Sequence, residues 1–183
     1  MSTHRPECEI SNLLADILVD AGKNYHEHPV LGVYNMGGIR ASLPKGVINF
    51  GNIIDIAPFE NKICFASLRG SDLMDLFRQM ASNGGEGVSH GVKLVMNKKF
   101  QLLSVTLNGK KINPRKIYRI TTIDYIVQGN DGLKAFAKSF DKVEPKDSSN
   151  DTRFIIADYF RKNESKGIVV DSNIEGRITV VDK

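Results

Sequence analysis

Three segments of this chain combine residue types that packing alone does not require. In Asn35-Met36-Gly37-Gly38-Ile39-Arg40, paired glycines follow a short apolar run. Glycines let a backbone approach a ligand closely, and Arg40 offers a planar fork to an anion. In Pro58-Phe59-Glu60-Asn61, proline fixes the backbone ahead of an aromatic that belongs to no periodic face. In Asp124-Tyr125-Ile126-Val127-Gln128-Gly129-Asn130-Asp131-Gly132, Tyr125 at a strand end precedes a glycine-rich turn carrying Asp131. Each segment also has a plainer reading: a tight turn with an incidental arginine, a core Phe anchoring a loop, and a Tyr that caps the core beside a turn. Taken together they supply two aromatics, an arginine and a carboxylate. Aromatic faces sandwich flat rings, a carboxylate accepts from ribose hydroxyls, and arginine grips a phosphate. That inventory fits a nucleotide or nucleoside. It holds no activated nucleophile and no general base paired with one, so no residue is assigned a catalytic role. The chemistry expected is holding, not reacting.

Other chemistries find little support. The four histidines form no spaced set with Asp and Asn able to hold a metal pair. His26 and His28 are the two that lie close together, and they read as exposed loop residues. Cys8 and Cys64 are the only cysteines, and two widely separated thiols make neither a zinc pattern nor a disulfide framework. They can be paired or free. The formal charge of +4 and pI near 9.0 come from modest Lys and Arg clusters beside turns. A basic face interleaved with aromatics is absent, which argues against a nucleic-acid partner. No run reaches the roughly 18 apolar residues of a membrane span.

The elements that must position these residues follow from periodicity. The apolar residues Ile10, Leu13, Leu14, Ile17 and Leu18 predict a helix over Glu7 to Ala21, closed by Gly22. Leu31 to Tyr34 predicts a buried strand, Asn52 to Ala57 a short helix, and Lys62 to Leu68 a strand. Ser71 reads as the N-cap of a helix carrying Leu73, Leu76, Phe77 and Met80 on one face, with Gly84-Gly85 past its end. Val92 to Met96, Leu102 to Leu107 and Lys116 to Thr122 read as strands, and Asn108-Gly109 is a hairpin turn. A final helix is predicted over Asp151 to Arg161, with closing strands at Ile168 to Val170 and Ile178 to Val181. The 183 residues suffice for one substantial core. Interleaved helices and strands with a hairpin at the centre predict a single α+β domain, residues 1–183, with a mixed or antiparallel sheet and packed helices.

The three segments, in this order, resemble the C-terminal substrate-binding domain of the 5'-nucleotidase / UDP-sugar hydrolase family. Arg5-Pro6-Glu7 leading into Ser11-Asn12-Leu13-Leu14-Ala15-Asp16 is similar to that domain's opening helix. Asn108-Gly109-Lys110 and Tyr118-Arg119-Ile120-Thr121-Thr122 are similar to its central strands. The resemblance implies that Phe59 and Tyr125 stack on a base, Tyr125 standing where relatives usually have Phe. It implies that Asp131 binds ribose, that Arg40 with Asn35 faces the phosphate, and that the Gly37-Gly38 backbone lines the anion's approach. His4 stands where relatives commonly have a first pocket arginine, with Arg5 one residue out of register. Glu60 replaces a frequent glycine, and His90 lies in a loop that borders the site in relatives. The resemblance further implies an AMP-like ligand and a metallophosphoesterase domain or subunit as partner. Divalent metals are expected only in that domain, and no cofactor is expected in this chain. A non-catalytic nucleotide or nucleoside binding protein is the alternative. The family implies a periplasmic or secreted location, although Met1 to Glu7 read as no signal peptide.

Overall fold

The computed structural model describes residue 1 and residues 3–182. Apolar side chains from every major element meet in one contiguous core. Helix α1 (Glu9–Ala21) buries Ile10, Leu13, Leu14, Ile17 and Leu18, the face its spacing predicts. It starts after Cys8, where Ser11 Oγ accepts from the Cys8 amide and donates back to the Cys8 carbonyl. At Gly22 it tightens into a 3-10 turn (Gly22–Tyr25) instead of stopping. Strand β1 (Leu31–Tyr34) is wholly buried beneath α1. The helix lies so close that a Cβ at Gly32 would stand 2.3 Å from the Ala15 carbonyl oxygen.

Beyond β1 come α2 (Phe50–Ile56), β2 (Ile63–Arg69) and α3 (Gly70–Ser82), then β3 (Gly87–Val88), β4 (Val92–Asn97), β5 (Leu102–Leu107) and β6 (Lys110–Lys111). Strand β7 (Ile117–Ile123) runs into the one-turn helix α4 (Asp124–Val127). Strand β8 (Phe140–Val143), helix α5 (Thr152–Glu164) and strand β9 (Ile178–Val181) complete the chain. The strands form two sheets. The first is mixed, ordered β3-β1-β7-β2-β8, with β1 parallel to β7 and the other pairs antiparallel. The second is ordered β6-β5-β4-β9, with β9 parallel to β4. The α+β class holds, and its strands divide between two mixed sheets. Arg177, 1% exposed, fastens α1 to the end of the chain by donating to Asp16 (2.7 and 2.9 Å), Glu175 and the Val88 carbonyl.

Three further local expectations change. The residues from Ile168 to Val170 form no strand, because β9 already covers the edge of β4 and Val169 is 88% exposed. Helix α3 begins one residue before Ser71, with Arg69 as its N-cap. Gly70 is required there, since a Cβ would meet the Asn113 carbonyl oxygen at 1.9 Å, and the Ser71 amide donates to the Pro114 carbonyl. Tyr125 sits within the first turn of α4, not on a strand end. Cys8 and Cys64 are both buried free thiols, and burial pushes the Cys64 thiol pKa up, away from reactivity. Among the described residues, no helix is long and apolar enough to cross a membrane.

Candidate functional site

Strand β1 ends at Tyr34, and the chain turns at once into a 3-10 helix over Met36–Gly38 with Asn35 as N-cap. Inside this turn Gly38 N–H donates to the Asn35 carbonyl and Ile39 N–H to the Met36 carbonyl. The Gly38 amide is therefore engaged within the turn and is not free for an anion. At Gly38 the requirement for glycine is spatial, since a Cβ would lie 2.6 Å from Asn35 Oδ1, whereas one at Gly37 would make ordinary contact, 3.4 Å from Asp131 Oδ2. Arg40 leaves the turn with its amide bonded to the Ile56 carbonyl at 2.9 Å. Its guanidinium donates to the Gly37 carbonyl and lies 6.0 Å from the Phe59 ring centroid.

The Phe59 loop is pinned from two sides. Asp124 Oδ1 accepts from the Lys62 and Tyr125 amides at 3.1 and 2.8 Å, joining the start of β2 to the start of α4. Thr152 N–H donates to the Asn61 carbonyl at 2.9 Å, joining the same loop to the start of α5. Asp151, the α5 N-cap, is 2% exposed and binds Lys62 Nζ and the Arg153 side chain and amide. Burial alone pushes a carboxyl pKa up. The bonds from Arg153 and Lys62 outweigh it and hold Asp151 below the usual carboxylate range. Glu60 points to Arg153 (3.4 Å) and does not border the cavity.

Asp131 completes the arrangement from the turn after α4. It adopts φ +51°, a left-handed conformation that Asp tolerates better than most residues. Both its carboxylate oxygens are engaged. Asn35 Nδ2 donates to one at 2.6 Å, and the Tyr125 hydroxyl donates to the other at 2.9 Å. That hydrogen bond raises the Tyr125 phenol pKa above its ordinary value. A carboxylate offers about four lone-pair sites, so two acceptor positions remain for further donors.

These residues border a single cavity of about 390 Å³, lined by Asn35, Gly37, Gly38, Arg40, Phe59, Asn61, Tyr125 and Asp131. All seven residues singled out in the sequence lie on its wall. Phe59 and Tyr125 are 47% and 41% exposed, so neither is the core anchor of the plainer reading. Asn61 is the lining residue not singled out, although it stands in the same Pro58-Phe59-Glu60-Asn61 segment. A larger apolar groove of about 1060 Å³ lies between residues 43–48 and 167–171. It has no comparable convergence of aromatics, guanidinium and carboxylate. His90 does not border the cavity and pairs with Glu175 at 2.8 Å. Arg5 is also absent from the wall, because its guanidinium is bound to Glu86 at 3.2 Å and to the Gly85 carbonyl. Among the described residues, no group of three or more His, Cys, Asp and Glu is placed to hold a metal ion.

The family described as 5'-nucleotidase, C-terminal domain matches residues 1–138. An apyrase of Tabanus yao is 30% identical over 152 residues, covering 69% of this chain and 27% of its own length. The trifunctional nucleotide phosphoesterase protein YfkN of Bacillus subtilis is 27% identical over 190 residues, covering 96% of this chain and 12% of its own. The chain thus spans about a quarter and about an eighth of these two relatives. The crystal structure of a 5'-nucleotidase precursor from Thermus thermophilus superposes with a TM-score of 0.82 at 22% identity, covering the whole of this chain and 37% of that one. That likeness establishes a shared fold.

Proposed function

This chain belongs to the 5'-nucleotidase C-terminal domain family, and from that premise we propose that its cavity binds a nucleotide or nucleoside for a phosphohydrolase. The base lies between the Phe59 and Tyr125 rings. The ribose hydroxyls donate to the two acceptor positions left on Asp131. The phosphate faces Arg40, the cation on the cavity wall, with Asn35 and the Gly37-Gly38 turn beneath it. The observation that carries this reading is the convergence of all four groups on one cavity about the size of a small ligand site.

The cavity brings together binding groups and no nucleophile with a partnered base. Hydrolysis is therefore assigned to a metallophosphoesterase domain, either elsewhere in a longer protein or on a second chain. The divalent metals that activate water in such domains belong there. A periplasmic or secreted site of action is part of the same proposal.

Titration calorimetry of the chain with AMP and with adenosine tests the binding reading. Saturable heat with at least one of them is expected, and no binding of any nucleoside, nucleotide or nucleotide sugar would overturn it. The assignment of catalysis has its own check. The chain alone, given Mg²⁺, Mn²⁺ or Zn²⁺, is expected to release no phosphate from AMP, and steady turnover would contradict the division of labour.

A further inference from the structure

Glu86 is a buried carboxylate that the cavity does not use. It lies between α3 and β3, is 2% exposed and contributes nothing to the cavity wall. Three donors converge on it from three segments. Met36 N–H donates to Oε2 at 2.7 Å, while Asn83 Nδ2 and Arg5 Nη2 donate to Oε1 at 2.9 and 3.2 Å. Met36 opens the 3-10 turn that has Asn35 as its N-cap and Ile39 as its C-cap, and Arg40 follows directly, its amide held by the Ile56 carbonyl. Asn83 also donates to the Asp131 carbonyl at 2.8 Å. A charged acceptor on a backbone amide makes one of the stronger hydrogen bonds available to a protein. This one fixes the turn at its first residue.

Resting on the nucleotide-binding reading, we infer that Glu86 is the positioning residue of the anion-facing turn, setting the discrimination between a phosphorylated and an unphosphorylated ligand. Arg5 serves this carboxylate instead of the cavity, and Arg40 is the arginine that lines the cavity wall. The phosphate preference then depends on how Arg40 is presented, and Arg40 is carried by the turn that Glu86 anchors. A glutamine cannot replace it. An amide offers one acceptor oxygen and one NH2 group with two donors, so either Met36 N–H or the Asn83 and Arg5 donors would face another N–H.

The test compares AMP with adenosine, by calorimetry, on the full chain and its Glu86→Gln and Glu86→Asp variants. The wild type is expected to prefer AMP. Glu86→Gln is expected to reduce the AMP-to-adenosine affinity ratio about tenfold, the scale of losing one hydrogen bond to a charged group, with adenosine affinity falling less than AMP affinity. Glu86→Asp keeps two acceptor oxygens on a shorter arm and is expected to give an intermediate ratio. If Glu86→Gln does not fold, Glu86→Asp decides by the same ratio. A ratio unchanged from wild type, whether both affinities fall together or neither does, would overturn the inference. Wild-type protein that binds both ligands equally overturns it too and leaves the nucleotide reading standing. Wild-type protein that binds neither overturns both.

Discussion

At the scale of single residues, Phe59 and Tyr125 leave nearly half of their surface in water, in a chain that buries Tyr34, Phe65, Phe77 and Phe136 almost completely. Phe100 and Phe154 are equally exposed, and what sets Phe59 and Tyr125 apart is that rings from two separate segments line one cavity. Each ring is expected to contribute about 1–3 kcal/mol of stacking. Phe59→Ala and Tyr125→Ala should therefore each weaken AMP binding by about 5- to 150-fold in calorimetry, with little change in thermal stability. These residues were legible in the sequence because proline, glycine and aromatic side chains stood outside any periodic face. Glu86 and Asn83 were not. Their importance comes from hydrogen bonds to Met36 and Asp131 across roughly fifty residues of chain, and no local pattern marks such a pairing.

Among the elements, helices with strong apolar periodicity were readable to within a residue or two, as were the four-residue strands β1 and β9, while β3 and β8 were not. Strand β8 presents Phe140 to Val143 with mostly exposed side chains, so its pairing to β2 leaves no alternation to detect. Strand β3 is two residues long. Conversely, Ile168 to Val170 has strand composition and no partner edge. Two elements carry testable weight for the site. Gly32 lets α1 settle on β1, and Gly32→Ala must drive a methyl into the Ala15 carbonyl and Val19. Overpacking of this kind is expected to cost about 1–3 kcal/mol, read as a lower urea midpoint. Asp151 joins α5 to the Phe59 loop. Its pKa is lowered on folding, so its contribution is fully present above the ordinary carboxylate range near pH 4 and is lost as pH falls through the lower folded value. Asp151→Ala should cost about 2–3 kcal/mol at pH 7, between a lost cap and a broken buried pair. In an acid titration of stability, that gap between variant and wild type should shrink below pH 4.

For the whole molecule, the strand directions bring residues 35–40, 59–61 and 125–131 to one end of the first sheet, beyond the C-terminal ends of β1 and β7 and the N-terminal end of β2. The fold class was legible from the alternation of helix and strand signals. The division into two sheets was not, because strand pairing such as β4 with β9 joins residues more than eighty positions apart. The nucleotide reading stands or falls on whether this cavity, and not the larger apolar groove, receives the ligand. A ¹⁵N–¹H NMR titration of the isotope-labelled chain with AMP decides between them. Saturable shifts are predicted in the amides of residues 35–40, 59–61 and 125–131. No saturable shift, or shifts confined to residues 43–48 and 167–171 along the groove, would refute it.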